Sequence, residues 1–132
     1  MIVLDASVVV DMLLQDDPNV DGIWEELLGD PEGAAAPHLL DAEVAQVLRR
    51  YVLRGEISAH RADGALDDLA ALPIVRHEHT VLLKRAFALR DNVTIYDALY
   101  LSLAEALDAR LLTRDGALAA LPGVRARVRV IP

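Results

Sequence analysis

The sequence contains no cysteine, and this absence excludes both a disulfide framework and a metal site built from thiolates. It also lacks any apolar run near the roughly 18 residues that a membrane-spanning helix needs, although 54% of its residues are hydrophobic. No basic segment precedes a long apolar stretch, as a signal peptide would require. Together these absences predict a soluble protein of the cytoplasm that does not associate with a membrane.

Positive charge is also scarce. Lys84 is the only lysine, and the formal net charge is −8. A protein that holds nucleic acid by bulk electrostatics presents a basic surface to the phosphates. The overall charge therefore argues against that mode of binding, and a nucleic-acid partner would have to be bound through a local site.

The chain is expected to fold as one domain over residues 1–132, because no linker, repeat or low-complexity segment divides it. Apolar segments of strand length alternate with segments of helical periodicity, which predicts an α/β fold with a central parallel sheet flanked by helices. The predicted strands are 2–5, 33–37, 74–77, 110–113 and 127–131, and the arginines of the last one suggest a sheet edge. The predicted helices begin near residue 7 and then cover 20–29, 38–55, 59–72, 80–92, 94–109 and 115–121.

Two acidic residues lie at the ends of predicted strands. Asp5 ends the first strand, and Asp115 follows the strand "RLLT". The carboxyl ends of parallel strands lie at the same edge of a sheet, where ligands of such folds bind, so the two carboxylates can converge. The alternative is that each is a turn or helix-capping residue, which is common wherever a strand leads into a helix.

Two further acids lie on predicted helices. Glu43 flanks the apolar stripe of its helix, where it would be partly desolvated and would need a partner. The alternative is that it bends out to water while Asp41 caps the helix. Asp97 stands third after Thr94, which fits a capping box, but a carboxylate in the first turn of this helix would also face the strand ends. For Asp97, capping and metal binding are compatible.

These four carboxylates (Asp5, Glu43, Asp97 and Asp115) would raise one another's pKa unless they bind a cation. A site with only oxygen ligands selects Mg²⁺ or Mn²⁺. The hydroxyls of Ser7 and Thr113 each stand two residues from one of these acids and suit supporting hydrogen bonds.

Two histidines and the only tryptophan are not expected to form part of a functional site. His77 and His79 alternate on one short segment, which supplies too few converging ligands for zinc, and they are expected at the surface. Trp24 is the only tryptophan and is expected in the core or an interface rather than in a stacking platform for bases.

Three stretches carry a resemblance to a known family: "IVLDASVVV", "APHLLDAEVAQVLRR" and "TIYDALYLSLAEALDARLLTRD". In residue type, order and spacing they resemble PIN-domain proteins, and in particular the small toxins of VapBC toxin–antitoxin pairs. The last stretch is the most specific, because it separates Asp97 from Asp115 by one helix and one strand. The resemblance extends over most of the chain.

The resemblance implies a PIN-like fold and a metal-dependent endoribonuclease, the toxin of a type II toxin–antitoxin system. Its partners would be an RNA substrate, a cognate antitoxin protein and a second copy of the chain in a homodimer. Its cofactor would be Mg²⁺ or Mn²⁺, and a metal-activated water would hydrolyse RNA phosphodiester bonds.

The resemblance also implies a role for each residue of the predicted site. Asp5 and Asp97 would be the principal metal ligands, and Glu43 and Asp115 would complete the catalytic acidic pocket directly or through bound water. The supporting residues would be Ser7, Thr94 and Thr113, and Arg114 could touch a substrate phosphate.

A second hypothesis remains open at this point: a non-catalytic PIN-like module whose acids only cap helices and whose grooves bind a partner protein. Stabilisation by Mg²⁺ or Mn²⁺ would distinguish the two. Haloacid dehalogenase-like phosphatases fit less well, because they require a second Asp where this chain has Ser7. Response-regulator receivers require a lysine after a late strand, and Lys84 lies inside a helical pattern.

Overall fold

A computed structural model describes residues 1–14 and 17–132 of the chain. Strands and helices alternate along it. The strands are β1 (Ile2–Leu4), β2 (Ala34–Pro37), β3 (Ile74–His77), β4 (Arg110–Thr113) and β5 (Arg127–Val130). The helices are α1 (Ala6–Leu14), α2 (Asp21–Gly29), α3 (Leu39–Leu53), α4 (Ala59–Ala71), α5 (Leu83–Ala88) and α6 (Ile95–Ala106), with 3₁₀ turns at Pro18–Val20, Thr80–Leu82 and Gly116–Ala120.

The five strands form one parallel sheet in the order β3-β2-β1-β4-β5. Every residue of the central strand β1 is buried, as expected for a strand covered on both faces. The last strand, β5, lies at the edge, where its arginines remain partly exposed to water. The predicted α/β fold with a parallel sheet flanked by helices is therefore confirmed, including the edge position of the last strand.

The start of α3 is fixed by residues from the neighbouring strand exit. The Leu39 N–H, at the first turn of α3, donates to Nε2 of His79 at 2.9 Å. Asp41 does not cap the helix; its carboxylate instead accepts two hydrogen bonds from Arg76 on β3, at 3.0 and 3.3 Å. The suggestion that Asp41 is the helix cap is therefore wrong, because α3 begins at Leu39 and places Asp41 inside its first turn, where its carboxylate pairs with Arg76.

The predicted helix over residues 80–92 is shorter than expected. Residues Thr80–Leu82 form a 3₁₀ turn, and α5 ends at Ala88. After it the chain tightens into bonds between residues three apart, with Leu89 N–H donating to the Ala86 carbonyl at 3.1 Å. Leu82, Ala86 and Leu89 keep their helical spacing and are all buried, so the pattern identified the correct buried face but the wrong length.

Most other predicted boundaries agree within one or two residues. Ser58 caps α4 by accepting from the Arg61 N–H at 3.0 Å, as predicted, and Thr94 caps α6. The predicted short helix after β4 is a 3₁₀ turn. Within residues 1–14 and 17–132, no helix is long and apolar enough to cross a membrane.

Candidate active site

Asp5 lies at the carboxyl end of β1, in the middle of the sheet, and only 9% of its surface is exposed. Its Oδ1 accepts hydrogen bonds from the Ser7 hydroxyl at 2.6 Å and from the Val8 N–H at 3.2 Å. Its Oδ2 accepts one from the Thr113 hydroxyl. The bond from Val8 is the helix-capping contact that the alternative hypothesis expected. Asp5 therefore caps α1 and also presents a buried carboxylate at the strand end.

The exits of β1 and β4 are joined by a chain of hydrogen bonds around Asp5. The Arg114 N–H donates to the Ser7 hydroxyl at 3.1 Å, and the Asp115 N–H donates to the Thr113 hydroxyl at 3.0 Å. Both hydroxyls thus accept from the loop after β4 while they donate to Asp5. The bonds expected of Ser7 and Thr113 are present, and they hold the carboxylate of Asp5 against the segment that carries Asp115.

Glu43 has the partner that the sequence indicated it would need. The Tyr100 hydroxyl, on α6, donates to Glu43 Oε1 at 2.6 Å. Burial raises the pKa of Glu43, the bond from Tyr100 lowers it, and the negative charges of Asp97 and Asp5 raise it further. Glu43 is only partly exposed and is held toward the other acids, so the alternative in which it bends out to water is not what the structure shows.

Asp97 lies in the first turn of α6 and is partly exposed. Its N–H donates to the Thr94 hydroxyl at 3.2 Å, so the predicted cap is present. Burial raises the pKa of Asp97, as do the charges of Asp115 and Asp5, while the hydrogen bond with Thr94 lowers it. Asp97 therefore takes part in the capped first turn and in the electrostatics of the acidic site.

Asp115 is the most exposed of the four acids. Its Oδ1 accepts from the Ala117 N–H at 2.9 Å, which caps the 3₁₀ turn that follows β4. Its charge is nevertheless felt by Asp97, whose pKa it raises. The two predicted strand-end acids, Asp5 and Asp115, thus both act electrostatically on Asp97.

The acids form one electrostatic cluster. The pKa of Asp5 is raised, chiefly by burial, in spite of the hydrogen bonds from Ser7, Thr113 and backbone N–H groups that lower it. With Glu43 and Asp97, three carboxyl groups therefore resist ionisation in the same part of the molecule. A cation would relieve this excess of negative charge.

The donor set fits a hard divalent ion. Within the described part of the chain, no group of three or more His, Asp or Glu side chains is arranged so that it could hold a metal ion. Mg²⁺ seldom needs such a group, because it retains several waters and binds through one or two carboxylates together with substrate phosphates. Carboxyl groups whose pKa values are raised by burial and by neighbouring negative charges suit that mode of binding.

Arg114 lies beside the site, but its guanidinium is already paired. Its Nε contacts Asp11 Oδ2 at 2.9 Å, and its Nη2 pairs with Asp17. These contacts tie the loop after β4 to α1, which carries Asp11, and to Asp17. A contact between Arg114 and substrate phosphate remains a prediction.

Two tyrosines belong to the site region but are absent from the residues predicted for it. Tyr100 is buried and holds Glu43. A signal for it existed, since a buried tyrosine hydroxyl requires a partner and Glu43 had been identified as needing one. Tyr96, directly before Asp97, is 61% exposed and lines a cavity that Glu43 also lines. Its exposure could not be predicted from local periodicity.

The amino-acid sequence matches that of a known protein family. The PIN domain matches residues 2–124. Ribonuclease VapC1 of Mycobacterium tuberculosis is 44% identical over 133 residues, which cover 98% of this chain and 96% of that protein. Ribonuclease VapC9 of the same organism is 35% identical over 132 residues, which cover 100% and 99% of the two chains.

A solved structure shows the same fold at low sequence identity. VapBC2 from Rickettsia felis, crystallised with a DNA fragment from its promoter, superposes with a TM-score of 0.74 at 15% identity. The match covers 100% of both chains.

Proposed function

The chain belongs to the PIN-domain family, and from this premise we propose that it is an endoribonuclease, the toxin of a type II toxin–antitoxin pair that acts in the cytoplasm. One observation carries the proposal. At one end of the sheet, the charges of Asp5 and Asp97 raise the pKa of Glu43, and the charge of Asp5 also raises the pKa of Asp97. A group of carboxylates with raised pKa values is typical of a functional site.

The same residues would hold the cofactor. Asp5 and Asp97 would be the principal ligands of Mg²⁺ or Mn²⁺, and Glu43 and Asp115 would complete the pocket directly or through water. When bound, the ion would supply an activated water and would stabilise the charge that develops on the phosphodiester. The chain offers no cysteine nucleophile for a covalent route.

The protein's own contribution is to hold these oxygens in place. Ser7 and Thr113 fix both oxygens of Asp5, so this carboxylate is oriented before any ligand arrives. Tyr100 fixes one oxygen of Glu43, and Thr94 fixes the turn that carries Asp97. Such fixed orientation lowers the cost of assembling a reactive site.

RNA can bind this acidic protein through local positive charge. Arg49, Arg50 and Arg54 are exposed on or just after α3, the helix that carries Glu43. They could contact the phosphates on either side of the cleaved bond, while the cation neutralises the acids. The net charge of −8 therefore weakens non-specific binding of RNA over the protein surface more than binding of RNA at the site, where arginines and a cation are close by.

Expression of the protein alone tests the proposal. Induction should arrest growth and degrade RNA, and Asp5→Asn should abolish both effects. The rival hypothesis of a non-catalytic module predicts that RNA remains intact and that Mg²⁺ and Mn²⁺ do not stabilise the fold.

The relatives also suggest a protein partner. We infer that a cognate antitoxin binds this chain and places a basic residue among the acids, where an arginine could pair with two carboxylates. Glu43→Gln should then weaken inhibition as well as activity. A complex in which no partner cation approaches the four acids would contradict this mechanism.

The homodimer remains a proposal that the surface supports. Val81, Leu83 and Phe87 are exposed apolar residues on α5 and the turn before it, and a second copy of the chain could cover them. Light scattering should give the mass of a dimer at micromolar concentration, and a monomer mass would contradict this proposal.

A further inference from the structure

A cavity opens beside the acidic site. Its volume is about 310 Å³, and Glu43 forms part of its wall. It lies where α3 approaches the first turn of α6 and the start of α1, and its lining residues are Ala6, Leu39, Ala42, Glu43, Gln46, Val47, Arg50 and Tyr96. The volume is at the lower end of the range seen for small-molecule sites.

Tyr96 is the unusual member of this lining. Its side chain is 61% exposed, whereas Tyr100, one turn later on the same helix, is buried. No hydrogen bond of the Tyr96 side chain is found within residues 1–14 and 17–132. A large aromatic ring is therefore displayed to solvent at the edge of a cavity, directly beside the candidate metal ligand Asp97.

We propose that this cavity binds one nucleobase of the RNA substrate, stacked on the ring of Tyr96. The inference rests on the proposed ribonuclease function and identifies a subsite of that same active site. Proteins that recognise single-stranded RNA stack its bases on exposed aromatic side chains. The cavity thus provides a position where an unpaired nucleotide can be held.

The other lining residues suit the parts of a nucleotide. Leu39 and Val47 provide apolar surface for a base, and the amide of Gln46 can donate to and accept from a base edge. Arg50 supplies a guanidinium at the same cavity, where it can contact a phosphate. Apolar surface, an amide and a cation are thus gathered around one aromatic ring.

The cavity is continuous with the acids. Glu43 belongs to both, Ala6 follows Asp5, and Tyr96 precedes Asp97. A base held here would carry its own phosphate toward the carboxylates. The nucleotide in the cavity is therefore expected to adjoin the cleaved bond.

An apolar side chain of a partner protein is the competing occupant. The amide of Gln46 and the guanidinium of Arg50 favour a nucleotide, because a base edge and a phosphate would bind both groups, whereas an apolar anchor would bind neither. The two occupants give different results in the experiment that follows.

The test is cleavage of RNA oligonucleotides in which one nucleotide at a time is abasic. For the parent protein, an abasic nucleotide next to the cleaved bond should reduce kcat/KM by roughly 5- to 150-fold, which corresponds to the loss of one base–aromatic stack. Tyr96→Ala should show a loss of similar size on intact RNA. On the abasic RNA, Tyr96→Ala should lose little more, because the stacking partner is already absent.

Three further variants separate stacking from other effects. Tyr96→Phe keeps the ring and should retain the dependence on that base, whereas Tyr96→Leu keeps bulk without a π-face and should resemble Tyr96→Ala. Leu28→Ala removes a side chain that is 73% exposed on α2, outside the cavity, and serves as the matched control. A thermal melt of each variant verifies that it is folded.

Three results would overturn the inference. If the losses from Tyr96→Ala and from the abasic nucleotide multiply, the ring and the base act independently. If Tyr96→Ala cleaves every RNA as the parent does but escapes inhibition by the antitoxin, the cavity serves a protein partner. If the parent cleaves no RNA, the proposed function itself fails, which is distinct from a parent that cleaves without sensitivity to the base.

Discussion

The hydroxyl of Tyr100 donates a 2.6 Å hydrogen bond to Oε1 of Glu43, and this bond connects α6 to α3 across the acidic site. It opposes the burial and the neighbouring negative charges that raise the pKa of Glu43. A buried residue outside the predicted set of acids therefore orients one of them and adjusts its protonation.

Tyr100→Phe should raise the pKa of Glu43, because the hydrogen bond that lowers it is removed. The free energy of unfolding should fall by about 1–3 kcal/mol, since a partly buried carboxylate loses its donor. RNA cleavage should fall as well. Carboxyl NMR titration, urea unfolding and a cleavage assay measure the three effects.

Tyr51→Phe is the control, because Tyr51 is a partly buried tyrosine that lies later on α3, outside the acidic site. It should change the free energy of unfolding by no more than about 0.5 kcal/mol. If Tyr51→Phe lowered the free energy of unfolding and RNA cleavage as much as Tyr100→Phe does, the hydrogen bond to Glu43 would not be the cause of these losses.

The metal-free protein should lose part of its stability as the pH rises. Asp97 has a raised pKa in the folded state and an ordinary one in the unfolded chain, so the folded state binds its proton more tightly. Ionisation of Asp97 therefore destabilises the folded state. This destabilisation is absent at a pH below the ordinary carboxyl pKa and is complete at a pH above the raised pKa. The stability of the parent relative to Asp97→Asn should therefore decline from acidic pH toward neutrality.

Glu105 provides a control of opposite sign. Its carboxylate accepts two hydrogen bonds from Arg85, at 2.7 and 3.0 Å, and these lower the pKa of Glu105. The parent should have a larger free energy of unfolding than Glu105→Gln at a pH above the ordinary carboxyl pKa. This difference should disappear as the pH falls through the lowered pKa. Urea unfolding over a pH series measures both differences, and the same slope for the two variants would contradict this electrostatic account.

Thr113→Val should destabilise the protein although valine has nearly the same shape and suits a strand. Thr113 is fully buried, and its hydroxyl both donates to Asp5 and accepts from the Asp115 N–H. Loss of the donor should cost about 1–3 kcal/mol and raise the pKa of Asp5 further. Thr80→Val, at an exposed threonine, should cost no more than about 0.5 kcal/mol; a similar cost at both positions would contradict the role given to the Thr113 hydroxyl.

The parallel sheet and the acidic positions could be predicted because they depend on local sequence. Buried strands of three to four residues leave a strong apolar signal, and an acid within two residues of the end of such a strand lies near its carboxyl end. The positions of Asp5 and Asp115 follow from this rule. The cap at Thr94 is equally local, since it depends on a residue only three positions away.

What could not be predicted depends on contacts between distant segments. Asp41 looked like a helix cap, but its carboxylate pairs with Arg76, which lies 35 residues later. Tyr100 lies 57 residues after Glu43, and only the packing of α6 near α3 brings them together. Periodicity tells which face of a helix is buried but not which residue of another element that face will meet.

The exposure of Tyr96 at the edge of a cavity also depends on contacts between distant segments. Its position just before Asp97 is visible in the sequence, whereas the cavity beside it exists only when α3 and the start of α6 come together. From the sequence, only Trp24 was weighed as a surface on which bases could stack, and Tyr96 was not.

If the acids bind a divalent cation for RNA cleavage, Asp97→Asn should remove both metal binding and activity. Thermal melts of parent and variant, each with and without Mn²⁺, are combined with one RNA cleavage assay. The metal-free variant should be at least as stable as the parent, gain no stability from Mn²⁺ and cleave almost no RNA. If Asp97 only supports the start of α6, the variant should instead lose about 0.3–1 kcal/mol and remain active. A variant that still responds to Mn²⁺ and still cleaves RNA would contradict the account.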